Sequence, residues 1–169
     1  MPVKLSENST LQPLYRDVLQ VETDLDAQPQ VLTWFDQFDQ DPVPHQVWLP
    51  CQLAIVEGFT NAVRHAHQGK PEYGFIDLEV QIFDDRLEIR IWDQGAPFDL
   101  HKQLRKMPPL NSDKGHSRGL LLMAKIGDVL KYTREPNGRN CLLLIRQYNA
   151  MPKSFLHRWV NQFCSSLGA

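Results

Sequence analysis

The chain has 169 residues, a length that allows a single domain, and its 42% hydrophobic and 22% charged residues are ordinary for a globular protein. A formal net charge of −2 excludes a strongly basic nucleic-acid-binding surface, and no apolar run approaches the roughly 18 residues of a membrane span. The cysteines lie far apart without a C-x-x-C pair, and the first residues lack the apolar core of a secretory signal. We therefore expect a soluble cytoplasmic domain that contacts neither nucleic acid nor membrane directly.

The first third of the chain predicts one strand and two helices after a flexible N-terminus at residues 1–14. Partial alternation favours a strand over Tyr15–Val21. Apolar residues at helical spacing then predict a helix that ends at two nearby prolines. The strongest helical pattern runs from about Val47 to His67, and Pro50 is expected in its first turn, where an amide hydrogen has no partner.

The middle of the chain predicts a β-hairpin followed by a long polar connection. The two strands, Ile76–Ile82 and Leu87–Trp92, alternate cleanly around a tight turn at Asp84-Asp85. Residues at about 99–117 are polar and include prolines, with weak helical character over Leu100–Lys106. An irregular connection of this length is typical of a functional lid.

The last third predicts a helix over Gly119–Ile126 and a hairpin of Asp128–Arg134 with Asn140–Gln147, closed by an Asn-Gly turn. Aromatic residues at helical spacing predict an amphipathic helix in a C-terminal extension, 149–169. Together the elements predict an α+β two-layer sandwich over residues 15–148, with a mixed, mostly antiparallel sheet and helices on one face.

Three polar residues of the long helix recur at intervals of four: Glu57, Asn61 and His65. That spacing places them along one side of a helix, facing one pocket. A glutamate can take a proton from a hydroxyl or a water, and the Asn61 side-chain carbonyl is a hard oxygen suited to Mg²⁺. A solvent-exposed helix face without any ligand would carry similar residues, so this spacing alone leaves open both a functional pocket and a plain exposed face.

A second motif follows the strand that ends near Trp92. An aspartate at a strand end, here Asp93, can accept a hydrogen bond from the exocyclic amine of adenine, and Gly95, without a Cβ, would let a flat base approach the backbone. Aspartate, glycine and proline are also ordinary turn residues, so a plain turn is the alternative.

A third motif, Gly115-His116-Ser117-Arg118-Gly119-Leu120, leads into the predicted helix of the last third. A glycine-bearing loop before a helix presents free amide hydrogens and the positive end of the helix dipole, which suits phosphate. Arg118 would add a charge-assisted contact. The alternative is a glycine cap followed by core leucines.

In this order and at these separations, the three motifs resemble those of the anti-sigma factor serine/threonine kinases, also called anti-sigma regulatory factors. These belong to the GHKL or Bergerat-fold superfamily of histidine-kinase-like ATPases. The similarity covers roughly Tyr15 to Gln147. The matching segments are Glu57-x-x-x-Asn61-x-x-x-His65 for the N box, Asp93-Gln94-Gly95-x-Pro97-Phe98-Asp99 for the first glycine box, and Arg118-Gly119-Leu120-Leu121-Leu122-Met123 for the second.

The resemblance implies the Bergerat fold with Mg-ATP bound beneath the 99–117 lid. It implies that Glu57 is the catalytic general base, that Asn61 is the magnesium ligand and that Asp93 reads adenine. The ATP-binding residues that it implies are Asn61, His65, Asp93, Gly95, Phe98, Gly115, Ser117, Arg118, Gly119 and Leu120.

The resemblance also implies partners. In that family the phosphate acceptor is a serine or threonine of an anti-sigma antagonist protein, and the kinase alternately sequesters a sigma factor. We therefore expect ATP and ADP, an antagonist and a sigma factor or similar regulator as partners, and a homodimer as an assembly that similar proteins often form.

The sequence departs from the family pattern at two places. Ser117 replaces the first glycine of the usual Gly-x-Gly, and Gly138-Arg139-Asn140-Cys141 replaces a glycine–threonine pair before the last strand. Both changes concern phosphate handling more than adenine binding. They keep open a nucleotide-binding partner switch without kinase activity.

Three further classes are less consistent with the sequence. A histidine-kinase catalytic domain needs a phosphoacceptor helix pair, for which the segment before residue 46 is too short. An ATPase clamp of the chaperone, gyrase or mismatch-repair kind carries a large transducer domain, and only a short segment follows the last strand. A pure interaction module leaves all three motifs unexplained.

Overall fold

The computed structural model describes residues 12–69, 74–107 and 118–148. Five strands and four α-helices form this part of the chain, with a short 3-10 helix before α1 and a π-helical segment after α2. In chain order they are β1 Tyr15–Glu22, 3-10 helix Leu25–Ala27, α1 Gln28–Asp36, α2 His45–Asn61, π segment Ala62–Ala66, β2 Phe75–Ile82, β3 Arg86–Asp93, α3 Leu100–Lys106, α4 Arg118–Ile126, β4 Val129–Arg134 and β5 Asn140–Gln147.

The five strands form one sheet in the order β1-β2-β3-β5-β4. Every pairing between these strands is antiparallel. The predicted α+β class is confirmed, and the prediction of a mixed sheet is wrong for the described strands. The chain reverses direction between β1 and β2, and although β4 runs parallel to β3, strand β5 lies between them and pairs with both in the antiparallel sense.

The main core lies between the sheet and the helices. Alternate residues of β2 are fully buried, as the period-two pattern predicts (Ile76, Leu78, Val80 and Ile82). Helix α2 buries Ile55 and Phe59 against them. A Cβ on Gly58 would clash with Ile91 Cδ1, so this glycine lets α2 lie close to β3. The close approach positions the helix that carries the first motif.

The opposite face of the sheet carries a ladder of ion pairs. Glu79 accepts hydrogen bonds from Arg16 at 2.6 Å and from Arg90 at 3.2 Å, and Glu88 accepts from Arg86 at 2.6 Å and from Arg90 at 2.5 Å. Both glutamates are buried, at 4% and 6% exposure. Carboxylates at that depth require such partners, because an unpaired buried charge is strongly destabilising.

Helix α2 differs from its prediction at both ends. It begins at His45, directly after an extended Pro44, so Pro50 lies inside the helix and not in its first turn. The α-helical pattern ends at Asn61, and the π segment continues to Ala66. Helix α1 ends at Asp36, several residues before Pro42 and Pro44, at which the sequence predicts its end. The remaining predicted elements lie within two residues of the observed bounds wherever the structure describes them.

Some predicted features lie partly or wholly outside the described residues. These are residues 1–11 of the flexible N-terminus, residues 108–117 of the lid, and the extension 149–169. The first half of the lid is described, and its weak helical character is confirmed as α3. Within the described ranges, no helix is long and apolar enough to cross a membrane.

Candidate nucleotide site

A cavity of about 700 Å³ opens between α2, the π segment, the loop after β3, the start of α4 and strands β4 and β5. Its volume lies within the usual range for ligand sites. Most residues predicted from the motifs line it: Glu57, Asn61, His65, Asp93, Phe98, Arg118, Gly119 and Leu120. Gly95 lies outside the lining, and Gly115 and Ser117 lie outside the described residues. Motifs that are remote in sequence therefore converge on one cavity.

The first wall of the cavity is the helix that carries Glu57, Asn61 and His65. Between the last two the backbone changes from α to π, and the His67 N–H bonds the Ala62 carbonyl five residues earlier at 3.0 Å. The strict spacing of four therefore ends at Asn61, although His65 still lines the cavity. Single π turns occur frequently at functional sites.

Asn61 differs from its neighbours in its hydrogen bonding. Its Nδ2 atom is buried and has no hydrogen-bond partner among the described residues. A buried amide without a partner costs free energy, about 1–3 kcal/mol on mutational scales. Such an atom fits a position that a bound ligand completes.

Asp93 lies at the end of β3 and is 5% exposed. Its carboxylate accepts three hydrogen bonds: from Gly95 N at 2.9 Å, from the Tyr132 hydroxyl at 2.9 Å and from Asn140 Nδ2 at 2.7 Å. Burial, with the charge of Asp93 as the next cause, raises the pKa of Tyr132, which keeps its hydroxyl a donor. The network fixes the carboxylate as an acceptor that can also receive an exocyclic amine of a base.

Gly95 packs against the π segment. A Cβ at this position would lie 2.7 Å from Ala66 Cα and 2.8 Å from Ala66 O. The glycine therefore lets the turn after β3 pack on the π segment, and the missing Cβ does not face the cavity. Its carbonyl accepts from Asn140 Nδ2 and from Arg134 Nη1, each at 2.9 Å.

Aromatic and apolar side chains form another part of the lining. The rings of Phe98 and Tyr132 pack with their centroids 4.2 Å apart and tilted by 30°. Ile91 and Leu142 lie deeper, and Met107 extends from the end of α3. A flat apolar ligand would find contact surface here, beside the polar network of Asp93.

The start of α4 forms the remaining wall. A Cβ on Gly119 would clash with the carboxylate of Glu57 and lie 3.3 Å from Glu57 Cδ. The N-terminal end of α4 therefore lies directly against Glu57, where the helix dipole favours negative charge. Arg118 lines the cavity at the same end. These features suit an anionic group such as phosphate.

Three residues of the polar network were not predicted as site residues: Tyr132, Arg134 and Asn140. Asp93 and Asn140 are directly opposite in the β3–β5 pairing, and Arg134 is opposite Asn140 in the β4–β5 pairing. Asn140 is completely buried. An asparagine at the start of an apolar strand was the signal in the sequence that could have indicated it.

This fold and this cavity, with two motifs on helices and one on a strand end, define a nucleotide-binding α+β domain. The chain belongs to the family described as the histidine kinase-like ATPase domain, whose family model matches residues 21–146. The family predicted from the motifs is thereby confirmed.

The relatives are named as protein kinases. The chain is 41% identical over 90 residues to the serine-protein kinase RsbW of Staphylococcus epidermidis, covering 50% of this chain and 57% of the relative. It is 34% identical over 76 residues to the RsbW of Listeria monocytogenes, covering 45% and 46%, and 30% identical over 91 residues to that of Staphylococcus aureus, covering 50% and 57%. The chain thus spans about half the length of the curated relatives it matches.

Proposed function

We propose that this chain binds Mg-ATP in the cavity and transfers the terminal phosphoryl group to a serine or threonine of an anti-sigma antagonist protein. One observation carries this function: Glu57 lies against the N-terminal end of α4, and it precedes by nine residues Ala66, on which the turn after Asp93 packs. One bound nucleotide would then meet Asp93, which accepts from the nucleobase, the start of α4, which suits the phosphates, and Glu57, which can take a proton.

Adenine is the base that suits the Asp93 end. Its exocyclic amine is a donor, and the ionised carboxylate accepts only. A 6-oxo purine such as guanine would place an acceptor against the same oxygens. Phe98 would contact the base from one side, since its ring lines the cavity and is 37% exposed.

Magnesium would be held at the other end by Asn61 together with phosphate oxygens. No group of three or more His, Cys, Asp or Glu in the described chain could hold a metal ion by itself. Mg²⁺ commonly uses one or two protein ligands plus substrate phosphates, so the donor set of this cavity fits it. When bound, the ion would neutralise charge on the phosphates.

Glu57 would act as the general base. In phosphoryl transfer the protein contributes mainly positioning and charge stabilisation. A carboxylate beside the phosphate end can take the proton from the hydroxyl of the acceptor, while the N–H groups at the start of α4 and Arg118 stabilise the negative charge. Gly119 and Leu120 would complete this end of the site, and His65, which precedes Ala66, would contact the nucleotide nearer to the Gly95 turn.

The cellular role that follows is partner switching. The kinase would bind a sigma factor or a similar regulator and release it in favour of the antagonist, according to whether ATP or ADP is bound. We place this function in the cytoplasm, without direct contact to nucleic acid, and propose a homodimer as the assembly. The relatives named serine-protein kinase support the kinase part of this proposal.

Calorimetric titration of ATP into the purified chain, with and without Mg²⁺, is the first test. We expect saturable binding that Mg²⁺ strengthens. Adenosine should compete more strongly than guanosine, because at the six position adenine carries an amine that can donate to Asp93 and guanine carries a carbonyl that cannot. A folded protein that binds no ATP in either condition contradicts the proposal at its base.

Phosphotransfer is the second test. The purified protein and ATP labelled in the γ-phosphate would be added to a nucleotide-depleted lysate of the cell of origin. Mass spectrometry would then identify the phosphoserine and phosphothreonine that carry the label, compared with a lysate without the added protein. Glu57→Gln should keep ATP binding and lower transfer about 10²-fold or more, the usual contribution of a general base. Glu22→Gln, an exposed glutamate outside the cavity lining, is the matched control.

Two outcomes would change the conclusion. Equal transfer by Glu57→Gln would exclude Glu57 as the base. ATP binding without transfer by any form of the protein would leave the partner switch without kinase activity.

A further inference from the structure

His67 connects two segments that are far apart in the sequence. It follows the π segment directly, and it is buried at 3% exposure. Its Nδ1 atom lies 2.9 Å from the Thr23 hydroxyl, just after β1, and its Nε2 atom accepts a hydrogen bond from the backbone N–H of Gln94 at 2.9 Å. The ring therefore joins the edge of the sheet to the turn after β3.

The bond to Gln94 determines the protonation of the ring. A backbone N–H can only donate, so Nε2 must carry no proton. Nδ1 then carries the proton and donates it to Thr23 Oγ1. A doubly protonated ring would place an Nε2–H against the N–H of Gln94, and the bond to the turn would be lost.

The turn that His67 holds is the one that carries the base-reading carboxylate. Gln94 follows Asp93 directly, and Gly95 packs on Ala66, the residue before His67. The helix end thus holds the turn twice, through packing at Ala66 and through the hydrogen bond at His67. A shift of the turn would displace Asp93 from the position that its other donors define.

We propose that His67 is a positioning residue for nucleotide binding, whose neutral imidazole holds the Asp93–Gly95 turn in place and whose protonation at Nε2 releases it. The inference rests on the proposed function, because it requires Asp93 to contact the base. His67 lies outside the lining of the main cavity, so it acts through Gln94.

The charges around the ring set the direction of the pH dependence. Burial lowers the pKa of His67 below its ordinary value; the charge of Asp93 acts in the opposite direction and that of Arg139 in the same direction as burial. Glu22 and Asp24 line a second cavity beside the ring. Since the neutral form binds, ATP affinity is complete above the pKa of His67 and falls as the pH decreases through it.

The test compares ATP affinity between about pH 8 and about pH 5, across the range in which histidine titrates. The proteins are wild type, His67→Gln, which keeps an acceptor oxygen within reach of Gln94 but does not titrate, and His67→Phe, which keeps a ring without an acceptor. His45→Gln is the matched control, because His45 is exposed and bonds Asp39 away from the cavity. Thermal unfolding would show that each variant is folded.

We expect His67→Phe to weaken ATP binding about tenfold at neutral pH, the scale of one lost hydrogen bond. His67→Gln should bind nearly as well as wild type at neutral pH and lose less affinity on acidification. The titration of the ATP phosphates is common to all the proteins and cancels in the ratio of affinities. ¹⁵N NMR of the wild-type ring should show a proton on Nδ1 and none on Nε2 at neutral pH.

The outcomes separate this inference from the proposed function. Equal pH dependence in wild type and His67→Gln, with ATP bound by both, overturns only the role of His67. A proton on Nε2 at neutral pH overturns it without reference to ATP. Absence of ATP binding in every protein overturns the proposed function, and this inference with it.

Discussion

The two ends of the cavity are built in different ways. The end near Asp93 is a network of hydrogen bonds. The Asp93 carboxylate accepts from Tyr132 of β4, from Asn140 of β5 and from the backbone N–H of Gly95, and Asn140 also donates to the Gly95 carbonyl. The end near Glu57 is formed by packing: Gly119 lies against the carboxylate, and Asn61 Nδ2 has no partner within the described residues. The first end is organised before any ligand binds, and the second has a donor for a ligand to complete.

The difference indicates what each end contributes to binding. A buried carboxylate whose acceptor positions are already oriented would lose little entropy when a nucleobase binds, so we expect that end to supply selectivity. An unsatisfied amide would stabilise the complex more than the free protein, so we expect the other end to respond to the phosphates, with the Asn61 side-chain oxygen available to their cation. Substitutions at the two ends should therefore have separable effects.

The largest expected effect comes from Asp93→Asn, at the end near Asp93 that is held by hydrogen bonds. The new amide group would face the donors from Gly95, Tyr132 and Asn140, and at least one buried donor would lose its acceptor. Unsatisfied buried groups cost about 1–3 kcal/mol each, and the base loses its acceptor as well, so we expect ATP affinity to fall about a hundredfold and thermal stability to decrease. Calorimetry and thermal unfolding measure both. Binding within about threefold of wild type would show that this end does not read the base.

A smaller effect is expected from Gly95→Ala, which breaks the packing of the turn and keeps the network residues. The added Cβ would lie 2.7 Å from Ala66 Cα, so the turn or the π segment must shift. Overpacking of this kind costs about 1–3 kcal/mol of unfolding free energy, and denaturant unfolding measures it.

The control for Gly95→Ala is a second substitution at the contact. Ala66→Gly in the same chain removes Ala66 Cβ, which would also lie 2.7 Å from the added Cβ, and leaves the close Ala66 Cα and O atoms, so it should restore part of the stability and not all of it. An unchanged stability in Gly95→Ala alone would mean that the turn is not held by this contact.

The contrast between the two ends also explains what the sequence predicts and what it does not. Glu57, Asn61 and His65 are found from a local period, because a helix brings residues four apart to one side. Asp93 is found because it ends an alternating strand. The partners of Asp93 come from the pairing of β3 with β5 and of β5 with β4, and no local pattern states which residues meet across strands.

The same reason accounts for the contacts and boundaries that the sequence does not predict. The sequence does not show that Gly95 packs on Ala66, because Ala66 belongs to a π segment, which a helical spacing of four residues does not indicate. Pro50 was expected in a first turn, but Pro44 lets the helix begin earlier. Local chemistry therefore predicts the elements and most of the cavity-lining residues, and tertiary contacts decide which residues hold them in place.

At the end near Glu57, Asn61→Ala should weaken the effect of Mg²⁺ on ATP affinity more than it weakens the binding of ATP alone. We expect the gain in ATP affinity on adding Mg²⁺ to fall about tenfold, equivalent to roughly 1.4 kcal/mol, because the side-chain oxygen is lost, and we expect a smaller loss without Mg²⁺, because the hydrogen bond that Nδ2 would donate to the ligand is lost. The free energy of unfolding of the free protein should fall by less than this loss of binding energy, because the substitution also removes the buried Nδ2 that lacks a partner among the described residues.

Magnesium titrations at fixed ATP measure the loss, and thermal unfolding without ligand measures the second effect. An unchanged magnesium titration would contradict the assignment of Asn61. A large loss of stability in the free protein would show instead that the packed end depends on this amide before any ligand binds.

The smallest expected effect is that of Asn140→Thr, which introduces the residue type that the family pattern places before the last strand. Asn140 Nδ2 donates to both Asp93 and the Gly95 carbonyl, whereas a threonine hydroxyl can donate only one hydrogen bond. Arg134 and Tyr132 remain to bond the Gly95 carbonyl and the Asp93 carboxylate, so we expect a stability loss of about 1 kcal/mol and a change in ATP affinity of less than about threefold. Asn140→Val, which has a similar shape to threonine but no donor, should cost more on both measurements. If threonine and valine were equivalent, the bond to Asp93 at this position would contribute nothing, and Tyr132 and the backbone N–H of Gly95 would be sufficient to orient the carboxylate.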